Sequence, residues 1–517
     1  MSVLNQASPS TVSSDPACTP RPSACPGLLR IVAARDGGIC RIKLPGCELS
    51  AAQARAIAAA SAKYAAGVIE LTNRANLQVR GVKPGEEAAL IAALVEAGLG
   101  PSPATGGANC ASTLAVADYA AAAARALTQS AADDVRNVMI SPAAGRDPSA
   151  LFDTRPLYAD LLALLQSEAR FAALSPKFAL LLDGGERLAR VDHPHDVWLA
   201  ATQSADGVRF VVGLAGCPPE SESANVGTDA EAEAEALSPS EQPGPHSDAK
   251  KTRADGTYAL AALLPSQVAA LVRALLFTFL DLAAADATRM RHLLATHSAD
   301  ELLRHAQRYV DFPLAHDASL AGWHRATRAD ASLRLGAHPQ RDAGLWHAGG
   351  QPPLGRLDAD TLHGLAALSE QYGNDTLRIT PWQSVLLPDI ATHAVDAVLR
   401  KLTKLGLACD SAQAITHLIA CAGSSGCAKS LADTKADALL LATRLPAGVD
   451  MHLSGCTRSC AAAHCAPYTL LAAAPGLYEL YRRDGRPGFG QRIAADPLTI
   501  DEAADMLERL ARSDTHA

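Results

Sequence analysis

Two stretches far apart in this chain align without a gap, and that repetition constrains the fold more than any other feature. The first, Leu49 to Val82, reads LSAAQARAIAAASAKYAAGVIELTNRANLQVRGV; the second, Leu357 to Ile390, reads LDADTLHGLAALSEQYGNDTLRITPWQSVLLPDI. Leu49 falls on Leu357, Ile57 on Leu365, Tyr64 on Tyr372, Leu71 on Ile379 and Thr72 on Thr380. Ser50 and Asp358 suit an N-cap, since a short side-chain oxygen accepts from the free N–H groups of a first turn, and apolar residues follow at helical spacing. Gly67 and Gly373 then end the helix, and a β-type run follows. The unit is helix, turn, strand, twice over. Two α+β halves related by a pseudo-twofold axis are expected to place a ligand site between them.

The chain has 517 residues, enough for several cores at the usual ~150 residues per domain. Aromatics make up only 4%, so Ala, Leu and Val must fill those cores, and a formal charge of −8 gives no general pull toward nucleic acid or anionic membranes. Met1 to Ala24 is rich in Ser, Pro and Thr and lacks an apolar h-region, so it reads as a disordered leader and not as a secretory signal. Pro218 to Gly256 is acidic, Ser/Pro-rich and almost devoid of large apolar residues; it cannot bury enough surface to offset chain entropy and reads as a disordered insertion. The most apolar stretch, Val268 to Ala285, carries Arg273 and Asp281, which argues for an amphipathic helix and against a membrane span. Asp134 to Ile140 and Lys177 to Leu182 read as short strands, and Val395 to Leu407 as a helix.

Twelve cysteines without an export signal point to a reducing cytoplasm, where clustered thiols more often bind metal than form disulfides. Four stand out. Cys421 and Cys427 enclose AGSSG, and Cys456 and Cys460 enclose TRS. Two glycines and two serines let the first loop wrap closely around a bulky inorganic group. Four thiolates match the ligand count of a 4Fe–4S cluster. A four-thiolate zinc site and scattered structural thiols are the competing readings; zinc pairs more often enclose two to four residues, which counts against the first. Cys465 is an alternative ligand, and Cys460 is favoured. The remaining cysteines read as buried apolar thiols.

The run CAGSSGCAKSLADTKADA followed by SGCTRSC resembles the cluster-binding half of sulfite and nitrite reductases. TNRANLQVRG (Thr72 to Gly81) is similar to that family's first Arg motif, VRNVMISPAAGRDP (Val135 to Pro148) to its second, and SPKF (Ser175 to Phe178) to its Lys-bearing strand. Within this superfamily the chain looks most like the precorrin-3B synthase branch of aerobic cobalamin biosynthesis, through CPGLLRI, TNRANLQVRGV and HLSGCTRSC. Sulfite reductases carry a second Lys two residues after the first; this chain has Ala179 there, a departure shared with nitrite-type members.

The resemblance implies an α+β fold with two pseudo-twofold-related ferredoxin-like halves plus α/β tetrapyrrole and 4Fe–4S domains. Its segments would be a leader (1–24), a first ferredoxin-like half (25–98), a tetrapyrrole-binding α/β domain (99–217), the acidic insertion (218–256), a helical segment (257–330), a second ferredoxin-like half (331–395) and the cluster domain (396–517). It implies that Arg74, Arg136 and Lys177 face the tetrapyrrole pocket as catalytic and binding cations, with Arg80 and Asn137 as further binding candidates, and that Cys421, Cys427, Cys456 and Cys460 hold the cluster. Trp382 stands where Arg74 stands in the first repeat, which allows one cationic and one apolar pocket wall. His193, His195, His452 and His464 read as surface or structural residues, and none is assigned to iron.

The implied activity is O2-dependent hydroxylation of precorrin-3A at the meso carbon between rings A and D, with the ring A acetate closing a lactone. The implied cofactors are the 4Fe–4S cluster and a mononuclear iron. The rival is a sirohaem- and 4Fe–4S-dependent sulfite or nitrite reductase, and a non-catalytic tetrapyrrole- or zinc-binding protein is a third class. No Gly-rich dinucleotide fingerprint follows a clear strand, so electrons are expected from an external donor or reductase. The internal pseudo-symmetry favours a monomer.

Overall fold

The computed structural model describes residues 25–101, 129–220, 258–462, 466–484 and 488–514. The expected leader, nearly all of the acidic insertion, His464 and Cys465 lie outside the described residues.

The duplication seen in the sequence extends to element boundaries. In the first half β1 (Val32–Ala34), β2 (Gly37–Ile42), β3 (Glu48–Ser50), α1 (Ala51–Tyr64), β4 (Val68–Leu71), β5 (Leu77–Val82) and α2 (Glu87–Glu96) follow in order. In the second half stand β11 (Gly336–Pro339), β12 (Leu345–Gly350), β13 (Arg356–Asp358), the helix Ala359–Tyr372, β14 (Thr376–Ile379), β15 (Val385–Ala391) and the helix Val395–Lys404. From β2 onward each second-half element starts 308 positions after its partner, the offset between Leu49 and Leu357. The backbone repeats as well: Gly46, Cys47, Gly67, Ala75 and Gly81 have positive φ, and so do Leu354, Gly355, Asp375, Gln383 and Asp389 at the same offset. A left-handed conformation is costly for residues with a Cβ, so a kink kept at five paired places marks a shared backbone path.

The expected caps form. Ser50 accepts from the Gln53 N–H in a full capping box, and Asp358 accepts from the Thr361 N–H. The two halves also exchange strands. β13 pairs with β4 in the sheet β1-β2-β5-β4-β13, and β3 pairs with β14 in the sheet β11-β12-β15-β14-β3. The registers Leu357↔Ile69 and Leu377↔Leu49 are equivalent under the offset. Each half thus completes the other's sheet, and one apolar core built around Ile57, Ile69, Leu365 and Leu377 runs through both. Each such fully buried side chain contributes about 1.5–3 kcal/mol.

Two further sheets share one topology. The first is β6 (Val138–Met139), β7 (Leu180–Asp183), β8 (His195–Ser204), β9 (Gly207–Gly216) and β10 (Ala261–Leu263). The second is β16 (Leu418–Ala420), β17 (Met451–Ser454), β18 (Tyr468–Ala474), β19 (Leu477–Arg482) and β20 (Gln491–Arg492). In both, the first three strands run parallel and the last two turn antiparallel. The duplication therefore covers the α/β units too.

One expected boundary changes. The segment 257–330 is not a separate helical unit: β10 pairs with β9, and the helix α3 (Val268–Leu282) buries Val268, Leu271, Leu275 and Phe279 in the same core as Phe171, Leu182 and Leu199. The acidic insertion leaves and re-enters between neighbouring strands of one sheet. Arg273 and Asp281, the charges that argued against a membrane span, lie on the outer face of α3, paired with Glu168 and Arg170. Half of the Pro265–Leu282 window is buried within the protein.

Candidate functional site

The parallel ladder of β16 and β17, with Ala420 opposite Leu453, brings the carboxyl ends of both strands level. Ligand sites of α/β sheets form at such ends. Cys421 and Cys427 lie in the loop after β16, and Cys456 and Cys460 in the loop after β17. Main-chain and side-chain bonds lock the loops together. The Leu431 N–H donates to the Gly455 carbonyl (2.9 Å), and the Gly455 N–H to the Cys421 Sγ (3.3 Å). Thr434 Oγ1 lies 3.3 Å from the same sulfur.

The glycines here serve close approach. Gly423 has φ +70°, and a Cβ on Gly455 would sit 1.7 Å from the Ser430 Oγ. Burial pushes the Cys460 thiol up, and Cys456, Cys421 and Cys427 add to that shift, so the four sulfurs lie within one another's field. Among the described residues no three His, Cys, Asp or Glu side chains converge as tightly as a single ion requires. Four soft donors spread around a glycine-lined cradle fit a cube-shaped cluster better than a lone zinc ion.

Next to these loops lies a cavity lined by Cys47, Arg74, Asn76, Arg136, Asn137, Ala179 and His195, among others. It sits between the first ferredoxin-like half and the amino ends of β6, β7 and β8. Arg74 makes no hydrogen bond or ion pair with its side chain among the described residues. Burial, then the neighbouring Arg289 and Arg41, lower its pKa to about 10 against the opposing pull of Asp196. Arg41, which is not itself a lining residue, is likewise held down by burial, with Cys25, Cys460 and Asp134 acting in the opposite direction. Arg289 is paired with the buried Asp196 at 2.9 Å, whereas the charge of Arg74 is left for a ligand's anion to match.

Arg136 also lines the cavity, but it is already engaged: its Nη2 meets Asp133 at 2.5 Å and the Leu99 carbonyl at 3.2 Å, while its Nε is buried without a partner. Asn137 spends its amide N–H groups on the carbonyls of Asp134, Pro176 and Phe178, fixing the turn before β7.

Two expected pocket cations lie elsewhere. Lys177 is exposed and is not among the cavity's lining residues, because the Ser175-Pro176 turn carries it to the surface. Arg80 points to the first cysteine loop and not into the cavity: it pairs with Asp36 (2.8 Å) and donates to the Gly426 carbonyl (2.9 Å). Trp382 is not a wall of this cavity either. It packs with Ala143, Leu188 and Leu386, with Arg190 5.4 Å from its ring, and so fills the pseudo-symmetric counterpart of the site.

Sequence reasoning missed His195, which is 1% exposed, lines the cavity and leaves Nδ1 unpartnered. Burial, then His193 and Arg74, hold its pKa well below the usual value. It also missed Cys47 as a lining residue. The only available signal was the alternation of β8, which points His195 inward with Val197 and Leu199. His452 lies inside β17, fully buried, and takes no part in the cysteine loops.

The family model "Nitrite/Sulfite reductase ferredoxin-like half domain" matches residues 33–97 and 338–405, the two exchanged halves. "Nitrite and sulphite reductase 4Fe-4S domain" matches residues 131–314, the first α/β unit; the four cysteines lie in the second unit of the same topology. The chain is 27% identical to the chloroplastic ferredoxin–nitrite reductase of Zea mays over 442 residues, covering 81% of this chain and 67% of that protein. It is 25% identical to the precorrin-3B synthase of a Sinorhizobium species over 462 residues, covering 88% of this chain and 82% of that protein. The chain spans only 64% of the Arabidopsis thaliana ferredoxin–nitrite reductase. Among solved structures, the Mycobacterium tuberculosis NirA protein superposes with a TM-score of 0.67 at 19% identity, covering 92% of this chain and 80% of that one, which establishes the fold. With both halves, a 4Fe–4S domain and the whole architecture matched, the chain belongs to the nitrite and sulfite reductase superfamily of oxidoreductases.

Proposed function

We propose that this protein is a precorrin-3B synthase, converting the tetrapyrrole precorrin-3A with dioxygen and external electrons in aerobic cobalamin biosynthesis. The observation that carries the reading is Arg74, a guanidinium that lines the cavity and has no ion-pair partner of its own among the described residues. A tetrapyrrole of this pathway brings acetate and propionate groups, and Arg offers each a planar, two-point grip. Ala179 lines the cavity where sulfite reductases are expected to bring a second cation, which counts against sulfite as the substrate, although nitrite-type members share that departure. The extent of the match to the Sinorhizobium enzyme, 88% of one chain and 82% of the other, supports the same choice.

Cys421, Cys427, Cys456 and Cys460 would hold the cluster, which when bound supplies electrons one at a time. The chain's own residues do the rest. Arg74 seats a carboxylate, Arg136 and Asn137 hold the cavity floor in shape, and His195, kept neutral first by its burial and then by His193 and Arg74, offers a hydrogen-bonding nitrogen to the bound ligand. Seating the ligand in the cavity displaces water and strengthens each of these contacts.

Incubating anaerobically reconstituted protein with precorrin-3A, reductant and isotopic dioxygen tests the assignment. Label in the tetrapyrrole product is expected, and its absence rejects the reading. The 27% identity to the maize nitrite reductase favours a second one, a sirohaem-dependent nitrite or sulfite reductase. A sirohaem Soret band with turnover of either anion would establish it.

A further inference from the structure

We infer that Arg80 and Lys435 form a two-point cationic clamp on the first cysteine loop and set the reduction potential of the cluster bound there. The inference rests on the proposed ligation by Cys421 and Cys427.

Arg80 is nearly enclosed, its side chain 4% exposed. Its Nε and Nη2 grip Asp36 at 2.8 and 2.9 Å, its Nη2 also donates to the Gly426 carbonyl at 2.9 Å, and its Nη1 lies 3.5 Å from Glu70. Lys435 donates to the carbonyls of Leu354 (2.9 Å) and Ala420 (3.4 Å) and lies 3.8 Å from Glu70. Ala420 and Gly426 immediately precede Cys421 and Cys427. Each cation therefore holds the peptide group that leads into one of the two proposed ligands. Gly426 has no room for a side chain, since a Cβ would lie 2.6 Å from the Arg80 Nη2.

Charge balance gives the clamp a second effect. Arg80, Arg356 and Lys435 surround only two carboxylates, Asp36 and Glu70, so the group carries one net positive charge in a largely buried setting. A cation in a low-dielectric setting stabilises the more negative, reduced state of a nearby iron–sulfur cluster, and net charge and hydrogen bonds are recognised levers on its potential.

The duplicated fold supplies an internal control. At the 308-position offset, Arg80 becomes Pro388 and Asp36 becomes Gly344. Neither can take part in such a network, and the mirror loop carries no cysteines. The Glu70–Arg356 pair of this group has a mirror counterpart in Arg378 and Glu48, but the Arg80–Asp36 pair has none, so maintaining the fold does not require Arg80 and Asp36.

The test uses the full, reconstituted chain, with iron and acid-labile sulfide measured first and the cluster potential then followed by EPR-monitored titration. Arg80→Gln is expected to lower the reduced-to-oxidised ratio at a fixed solution potential about tenfold, a shift of roughly 59 mV for one electron. Asp36→Asn is expected to move it the other way, and Arg80→Lys to restore most of the unmutated value. A purely structural role does not produce shifts of opposite sign, so equal-sign shifts or an unmoved potential overturn the clamp. If Arg80→Gln fails to retain a cluster, Lys435→Gln carries the same expectation and the same refutation. Absence of iron and sulfide from the unmutated chain refutes instead the ligand reading beneath it.

Discussion

Glu70 on β4 meets Arg356 on β13 at 2.7 Å, and the equivalent place in the mirror half holds Arg378 and Glu48 at 2.6 Å with the charges exchanged. The duplication preserved complementarity across the exchanged strands and not residue identity. The two pairs differ in surroundings. Glu70 is 12% exposed and also faces Arg80 and Lys435, whereas Glu48 is 44% exposed and has one partner. Glu70→Gln leaves several cations under-compensated and is expected to cost about 3–5 kcal/mol. Glu48→Gln, screened by water, is expected to cost at most about 1 kcal/mol. Urea unfolding of the two variants checks the contrast; equal losses would refute it.

The same pair shows what was legible in the sequence and what was not. A gapless alignment exposes the two halves because helix caps and core spacing are local and repeat in the chain: Ser50 and Asp358, Ile57 and Leu365. The strand exchange and the charge swap are invisible there, because they depend on which strand lies beside which. The second duplication, of the α/β units, is hidden because only topology survives in it. The cysteines were readable through their spacing. The cavity was only half readable: Arg74 and Arg136 stand in motifs, whereas Cys47 and His195 reach it from two separate elements. Arg80 and Lys177 misled for one reason, since a cation in a motif says nothing about the direction of its side chain.

Arg74 and Arg136 line one cavity but should respond oppositely to removal. Arg74 is half-buried and makes no side-chain hydrogen bond or ion pair among the described residues, so Arg74→Leu is expected to leave thermal stability unchanged or raised while weakening tetrapyrrole binding at least tenfold. Arg136→Leu strands Asp133, whose side chain is 2% exposed, and is expected to destabilise the fold by about 3 kcal/mol or more. Calorimetry together with a tetrapyrrole titration separates the two; loss of stability in Arg74→Leu would show that its charge is satisfied.

Replacing any one of Cys421, Cys427, Cys456 or Cys460 by Ser is expected to lower iron and acid-labile sulfide together. A steric variant probes the same cradle without touching a thiol. In Gly455→Ala the new methyl would lie 1.7 Å from the Ser430 Oγ and 2.7 Å from its Cβ, forcing the two cysteine loops apart. Cluster content is expected to fall severalfold, and Gly455→Ala with Ser430→Gly should regain part of it. Full cluster loading in the single variant would mean that the loops are not held at the spacing described.

His452 supplies a pH dependence. The ring is fully buried in β17, neither nitrogen has a hydrogen-bond partner, and burial lowers its pKa to about 4. In the unfolded chain the same ring titrates near its ordinary value of about 6.5. Above that pH both states are neutral, and the group is indifferent to pH. As the pH falls below it, the unfolded chain takes up the proton first, and the folded protein loses about 1.4 kcal/mol per pH unit until its own pKa is reached. His452→Leu removes two unsatisfied nitrogens, so it is expected to be neutral or stabilising at pH 7.5. It should also reduce the loss of stability between pH 6.5 and 5.5 by about 1 kcal/mol, since the unfolded ring is already half protonated at the upper end of that range. His347, held at about 4 mainly by burial, keeps a similar slope in both proteins, which makes the difference between them the measured quantity. Parallel urea-midpoint curves for the two proteins across that range would mean that His452 has a partner in solution.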